Sequence, residues 1–147
     1  MTAAETDTHI ETAARLRLAV VRTARRLRQE AGTGLSPSLT AALATIERHG
    51  PLRPSELAER ESIKRPAATR IVARLEGEGL VERAADPADG RLALIAATPG
   101  GRDLLRRIRK RKNEYLARRM RGLPSEDLVA LERAADVLER MLEDGRR

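Results

Sequence analysis

The stretch from Pro54 to Ile95 leaves a chain of this kind few folds to choose from. A short helical pattern, Pro54-Ser55-Glu56-Leu57-Ala58-Glu59-Arg60-Glu61, breaks at Ser62-Ile63. A second runs from Arg65 to Glu76 and stops at Gly77 and Gly79. Two strand-like runs, Leu80–Arg83 and Arg91–Ile95, then flank the polar segment Asp86-Pro87-Ala88-Asp89-Gly90-Arg91. Pro66 suits a first helical turn, where its missing donor would be unpaired anyway. Leu57 and Ala58 face inward in the first helix, with Glu56, Glu59 and Arg60 left wet. In the second, Ala68, Ile71, Val72 and Leu75 recur at spacings of three and four, a single narrow apolar stripe. Ala58 and Ala68 are small where two crossing helices approach most closely. The pattern predicts a helix-turn-helix followed by a hairpin wing.

The face opposite that stripe carries Lys64, Arg65, Thr69, Arg70 and Arg74, and no acid lies between Ser62 and Leu75. Phosphate oxygens need cations, and base edges in a major groove need forked or hydroxyl donors; arginine and threonine supply both. Double-stranded DNA is therefore the expected partner. The candidate contacts are Lys64, Arg65, Pro66, Thr69, Arg70 and Arg74 on the second helix, with Ser36 and Ser38 at an upstream helix start. Asp89 and Arg91 join them from the wing, where Arg91 is placed to reach a minor groove, read by shape and potential.

Everything outside this stretch is amphipathic helix. Met1–Thr8 is polar and expected to fray. A helix is expected from His9 to about Glu30, with Ile10, Ala13, Leu16, Val20, Ala24 and Leu27 on its apolar side and Gly32 and Gly34 ending it. Ser36 caps a further helix with Pro37 in its first turn, running through Leu39, Leu43 and Ile46 to His49-Gly50-Pro51. Leu52-Arg53 is expected to form a very short strand pairing with the wing. Thr98 caps a long helix to Arg121, roughly 35 Å at 1.5 Å per residue, with Leu104, Leu105, Ile108, Leu116 and Met120 on its buried side. A last helix from Pro124 or Ser125 carries Leu128, Leu131, Ala135, Leu138, Met141 and Leu142 on one stripe. Apolar stripes near both chain ends favour an intertwined homodimer; a four-helix bundle within one subunit is the alternative.

Composition narrows the function. With one tyrosine and neither phenylalanine nor tryptophan, Leu, Ala, Val and Ile must supply the packing, which favours closely touching helices. The 147 residues are enough for a real core. The net charge of +7 suits a polyanionic partner. Much of the excess sits in Arg102, Arg106, Arg107, Arg109, Lys110, Arg111 and Lys112, either over DNA backbone or as plain surface. The chain has no cysteine, so disulfides and thiolate metal sites are excluded. Met1–Thr8 lacks the basic and apolar parts of a secretion signal, and no apolar run approaches the roughly eighteen residues that span a bilayer. A cytoplasmic protein without membrane attachment is expected. His9 and His49 lack neighbouring ligands, the carboxylates are unpaired, and the serines sit at caps and turns. Gly77-Glu78-Gly79 and Gly100-Gly101 read as helix punctuation, not a phosphate loop. Neither catalysis nor a cofactor is expected.

The chain resembles the MarR family of winged helix-turn-helix regulators. The likeness rests on Leu57-Ala58-Glu59-Arg60, on the run from Thr69 through Leu75-Glu76-Gly77-Glu78-Gly79 to Val81, on the Asp86–Arg91 wing, and on Leu94–Gly101 with Thr98 opening a helix. The family's wing often reads Asp-x-Arg-Asp-x-Arg; here Ala88 replaces the first arginine, while Asp89-Gly90-Arg91 keeps the second unit. The resemblance implies that Arg91 enters the minor groove and that Asp89 braces it, and it leaves open any backbone contact at position 88. Cysteine-based peroxide sensing, found in part of the family, is excluded here. The effector cleft implied lies where the dimerisation helices meet the winged domain, for a small phenolic or otherwise lipophilic anion. Arg17, Arg25 or another cation of the first helix would pair with it, and the sequence does not choose.

The expected fold is mainly α with a small β-hairpin: a winged helix-turn-helix with flanking N- and C-terminal dimerisation helices. Residues 1–34 form the N-terminal dimerisation helix, 35–97 the DNA-binding domain, and 98–147 the long helix and C-terminal dimerisation helix. The expected function is that of a homodimeric repressor released from a palindromic operator by a small lipophilic or aromatic anion. The alternatives are an architectural or effector-independent DNA binder, and a protein-interaction module in which the winged part is structural only.

Overall fold

The computed structural model describes residues 3–144. In chain order it contains α1 (Ala3–Ala31), α2 (Pro37–His49), α3 (Pro54–Arg60), α4 (Arg65–Gly77), β1 (Val81–Ala85), β2 (Ala93–Ala97), α5 (Pro99–Met120) and α6 (Ser125–Asp144). The mainly α architecture with one two-stranded antiparallel hairpin agrees with the expected class. Two compact units are present, Met1–Lys112 and Asn113–Arg147.

In the first unit, α1 starts at Ala3, so residues 3–8 are helical where fraying was expected; Met1 and Thr2 lie outside the described residues. Ala3 and Ala4 are the strongest helix formers, and Glu5 in the first turn meets the positive end of the helix dipole. Helix α2 begins as anticipated: the Ser36 hydroxyl accepts the Leu39 amide at 3.2 Å, with Pro37 in the first turn. Gly50 closes α2 by donating its amide to the Ile46 carbonyl at 2.8 Å.

The core lies between α2, the helix pair α3–α4, the hairpin and the first turns of α5. Leu43, Ile46, Leu57, Val72, Leu75 and Ile95 are fully buried there, and Leu105 and Ile108 close it from α5. No ring is needed because the helices touch through small residues, with Ala42 and Ala68 fully buried and Ala58 nearly so. Leu52 joins the sheet through one bridge to Ile95, the Leu52 amide donating at 3.0 Å and the Ile95 amide returning at 2.7 Å.

The hairpin differs from expectation in its limits. Its register pairs Val81 with Ala97 through Ala85 with Ala93, so both strands take in alanines, and Arg91 and Leu92 stay in the loop. Alanine has a weak strand preference, which is why the sequence pattern ended the first strand at Arg83. The pairing partner, not the residue's own preference, decides the boundary. Thr98 ties the hairpin to α5: its hydroxyl donates to the Gly79 carbonyl at 2.6 Å and accepts the Gly101 amide at 3.1 Å.

In the second unit, α6 starts with the Asp127 and Leu128 amides donating to the Pro124 carbonyl at 3.0 and 3.2 Å. Leu128, Leu131, Val137, Met141 and Leu142 are all exposed in the single chain. Among the described residues no helix is long and apolar enough to cross a membrane.

Candidate nucleic-acid interface

The turn between α3 and α4 is short and held by backbone bonds. The Ser62 amide donates to the Glu59 carbonyl at 3.2 Å and the Ile63 amide to the Ala58 carbonyl at 2.9 Å. Ser62 itself adopts φ = 53°, left-handed backbone that a residue with a Cβ visits at some cost. Helix α4 then buries Ala68, Val72 and Leu75 and exposes Lys64, Arg65, Pro66, Thr69, Arg70, Ala73 and Arg74. At helical spacing these fall into two neighbouring rows, Arg65-Thr69-Ala73 and Pro66-Arg70-Arg74, a face about as wide as a groove-reading helix presents.

The cations on this face are not equivalent. Lys64, Arg65 and Arg70 form no ion pair among the described residues, so their charge is available. The Arg74 guanidinium is held by Glu78, one turn on, at 2.8 Å. The Thr69 hydroxyl donates back to the Arg65 carbonyl at 3.1 Å. Of the two upstream candidates, Ser36 uses its oxygen to cap α2, while Ser38 is exposed one residue after Pro37.

The wing is built on a residue the sequence pattern passed over. Asp86 is 7% exposed and is the one buried charged side chain among the described residues. One of its oxygens accepts Arg53 Nε and Nη2 at 3.2 and 2.8 Å, and the other accepts the Ala88 amide at 2.9 Å. Arg53, and after it the Ala88 amide, holds the Asp86 carboxyl below the usual carboxylate range, and the same bond raises Arg53. An acid before Pro87 carries no local sign of a partner 33 residues upstream, so only the fold reveals the clamp. Around it the Asp86 amide donates to the Leu92 carbonyl at 2.9 Å and the Asp89 amide to the Asp86 carbonyl at 3.2 Å.

At the tip, Asp89 Oδ1 accepts the Arg91 amide at 3.0 Å and Arg91 Nε at 3.4 Å. Asp89 thus makes a turn and steadies Arg91 together. The Arg91 side chain is 91% exposed, a single cation standing off the end of the hairpin. Arg91 and α4 belong to the same winged unit, since β1 packs on α4 and the Arg83–Glu76 pair joins them at 2.7 Å.

The basic excess of α5 is largely engaged within the chain. Arg102 donates to the Ala97 carbonyl at 2.7 Å, Arg109 to Glu47 at 2.8 Å, Arg111 to the Ala31 carbonyl at 2.7 Å, and Arg106 pairs with Asp103. The Arg109 bond lowers the Glu47 carboxyl below its ordinary value and raises Arg109. Arg102, Arg109 and Arg111 tie α5 to β2, α2 and α1, and Arg106 is paired within the helix, so α5 offers DNA fewer free charges than its composition suggests.

A cavity of about 510 Å³ opens between α1, α2 and α5. Ala24, Leu27 and Ala31 line it from α1, Ala41 and Ala44 from α2, and Ile108 from α5. Arg28 and Lys112 are its charged residues; Arg17 and Arg25 do not reach it. Among the described residues no group of three or more His, Asp or Glu is arranged to hold a metal ion.

Residues 35–92 match the family model described as MarR family. An HTH-type transcriptional regulator of Mycobacterium leprae is 34% identical over 139 residues, spanning 94% of this chain and 97% of the relative. The HTH-type transcriptional repressor MdtR of Bacillus subtilis is 29% identical over 96 residues, 65% of this chain and 62% of that one. Among solved structures, a transcriptional regulator protein of Pseudomonas aeruginosa superposes with a TM-score of 0.83 at 31% identity, covering 92% of this chain and 96% of that chain.

Proposed function

The chain belongs to the MarR family, and from that premise we propose that it works as a homodimeric repressor of a roughly palindromic operator. It is a transcriptional regulator and not an enzyme, and regulators of this family bind DNA. The observation that carries the proposal is the outer face of α4 from Arg65 to Arg74, which holds no acid and where Lys64, Arg65 and Arg70 stand unpaired among the described residues, together with the projecting Arg91. Thr69 and Arg70, mid-helix, are the base-reading pair. Lys64 and Arg65, at the helix start beside Pro66, neutralise phosphate, and the Ser36 and Ser38 hydroxyls at the start of α2 donate hydrogen bonds to it. Arg74 joins them by exchanging Glu78 for phosphate. Arg91 enters the minor groove, with Asp89 limiting its rotation.

Two copies would be held together by residues 1–34 and 98–147, leaving 35–97 to the DNA. Ile10, Leu16 and Val20 on α1 and Leu128, Leu131 and Leu142 on α6 are exposed in the single chain, supporting burial against a second copy. Two-fold symmetry then sets half-sites about one helical turn, roughly 34 Å, apart. Repression follows from occlusion of a promoter, in the cytoplasm where the chromosome lies. The resemblance of MdtR, a repressor, supports that direction of control.

The cavity supports a small-molecule effector, a lipophilic anion. Helix α2 lines the cavity and also packs against α4. A ligand that displaces α2 therefore displaces the recognition helix, and it releases DNA if it binds the DNA-incompetent state more tightly. Selection of binding sites from random duplexes, followed by salt titration of the selected and a random duplex, tests the proposal. An inverted repeat bound at least about a thousandfold more tightly than random DNA is expected. Equal affinity for both, with the same salt slope, would leave an architectural, effector-independent binder.

A further inference from the structure

Apolar burial does not aim the wing. From Asp86 to Leu92 the one buried residue is Asp86 itself; Pro87, Ala88, Gly90, Arg91 and Leu92 are exposed and Asp89 is half-buried. Hydrogen bonds must therefore fix where Arg91 points, and they form one connected chain. Arg53 Nε and Nη2 donate to Oδ2 of Asp86 at 3.2 and 2.8 Å, and the other Asp86 oxygen accepts the Ala88 amide at 2.9 Å. The Asp86 backbone joins both limbs of the loop, its amide donating to the Leu92 carbonyl and its carbonyl accepting the Asp89 amide. Asp89 closes the ring by accepting the Leu92 amide on its carbonyl, and the Arg91 amide and Nε on Oδ1.

The root of this chain is itself held. Leu52, just before Arg53, is buried and bridged to Ile95 of β2. The Arg53 carbonyl accepts the Leu57 amide at 3.1 Å, and its amide donates to Glu56 Oε1 at 3.3 Å. Arg53 is thus fixed by its own backbone between the sheet and α3. Two guanidinium donors on one carboxylate oxygen set direction as well as distance, which a lysine ammonium does less well. Among the described residues, that Asp86 oxygen has no other donor to take over the load.

We infer that Arg53, which lies outside both the recognition helix and the wing, is a positioning residue for minor-groove reading and acts through Asp86 and Asp89 on Arg91. The inference rests on the reading proposed above, in which Arg91 enters the minor groove, and adds the residue that aims it. Anisotropy titration of the full-length protein against the selected operator, carrying either A·T-rich or G·C-rich flanks, tests it. Arg53→Gln should lose about tenfold in affinity on A·T-rich flanks and less than about twofold on G·C-rich ones. The Arg53→Gln, Arg91→Ala double variant should bind no more weakly than Arg91→Ala alone. Hydrogen exchange at the Ala88 and Arg91 amides of the free protein should speed up in Arg53→Gln while α4 stays protected, a pattern that general destabilisation does not give. Arg53→Lys carries the test alone if the glutamine variant does not fold: keeping the charge and a single grip on Asp86, it should lose about threefold on A·T-rich flanks only.

Equal losses on both flanks, with a salt slope lower by about one per subunit, make Arg53 a phosphate contact and overturn the inference while the Arg91 reading stands. Losses from Arg53→Gln that add in full to those from Arg91→Ala overturn it too, as does parental binding by Arg53→Lys on A·T-rich flanks. A flank preference that Arg91→Ala leaves unaltered overturns the Arg91 reading itself, and the inference with it.

Discussion

Replacing Gly101 by alanine puts a methyl carbon 2.2 Å from the Leu80 carbonyl oxygen and 3.1 Å from its carbon. That oxygen must move by about 1.2 Å to reach the 3.4 Å at which ordinary contact begins. It has little freedom to do so, because it accepts the Thr98 amide at 3.0 Å while Thr98 caps α5 and bonds Gly79. Overpacking of this kind costs about 1–3 kcal/mol, and the strained hydrogen bond adds about 1 kcal/mol. The better helix propensity of alanine offsets up to about 1 kcal/mol. The net expectation is a loss of about 2 kcal/mol, or roughly 4–8 °C in Tm for a chain of this size. The neighbouring Gly100 is the control: a Cβ there meets nothing closer than 3.6 Å, so Gly100→Ala should be neutral or stabilising by up to about 1 kcal/mol. Thermal unfolding of both variants at one protein concentration decides the matter, since self-association would make Tm depend on concentration. Equal shifts for the two variants, or a Gly101→Ala protein as stable as the parent, would refute the close-approach argument.

Arg70→Ala should blur base preference at one position of each half-site, losing about 1–3 kcal/mol of discrimination. Arg65→Gln should instead weaken every duplex and lower the salt slope by about one per subunit; binding to selected and random DNA across a salt series separates them. Arg91→Ala should lose most on sites with A·T-rich flanks, and Asp89→Ala should show a milder form; equal loss on all flanks would make Arg91 a backbone contact. Because Arg53 holds the Asp86 carboxyl below its ordinary value, its stabilisation is fully present above about pH 4 and is lost as pH falls through the lower folded-state value. Asp86→Asn should flatten that acid-side decline in thermal stability; an unchanged profile would remove the clamp from the account. Leu75→Ala, in the fully buried contact of α4, should cost about 2–5 kcal/mol by chemical denaturation.

Much of the scaffold was written locally. Helix starts at Ser36-Pro37 and Thr98-Pro99 depend on capping groups within three residues, the start of α4 on Pro66 in its first turn, and the buried stripe of α4 only on helical spacing. Such features are near-neighbour chemistry, so the order of elements and the outward face of α4 could be read from residue types alone. The brace from Asp89 to Arg91 spans only two residues, yet it was the family resemblance that implied it, residue types alone giving no more than a turn at Asp89.

Tertiary structure decided whatever depends on a distant partner. Strand limits came from the Val81–Ala97 register rather than from the strand preference of alanine. Gly101, which looked like punctuation, is required by the approach of Leu80. Asp86 looked like loop polarity until Arg53, 33 residues upstream, closed on it. The basic run in α5 could not be apportioned between DNA and the chain itself before the acceptors at Glu47, Ala31 and Ala97 were in place. Charge and polarity are properties of residues and travel with the sequence; whether a charge is free is a property of what stands beside it, and only folding brings those neighbours together.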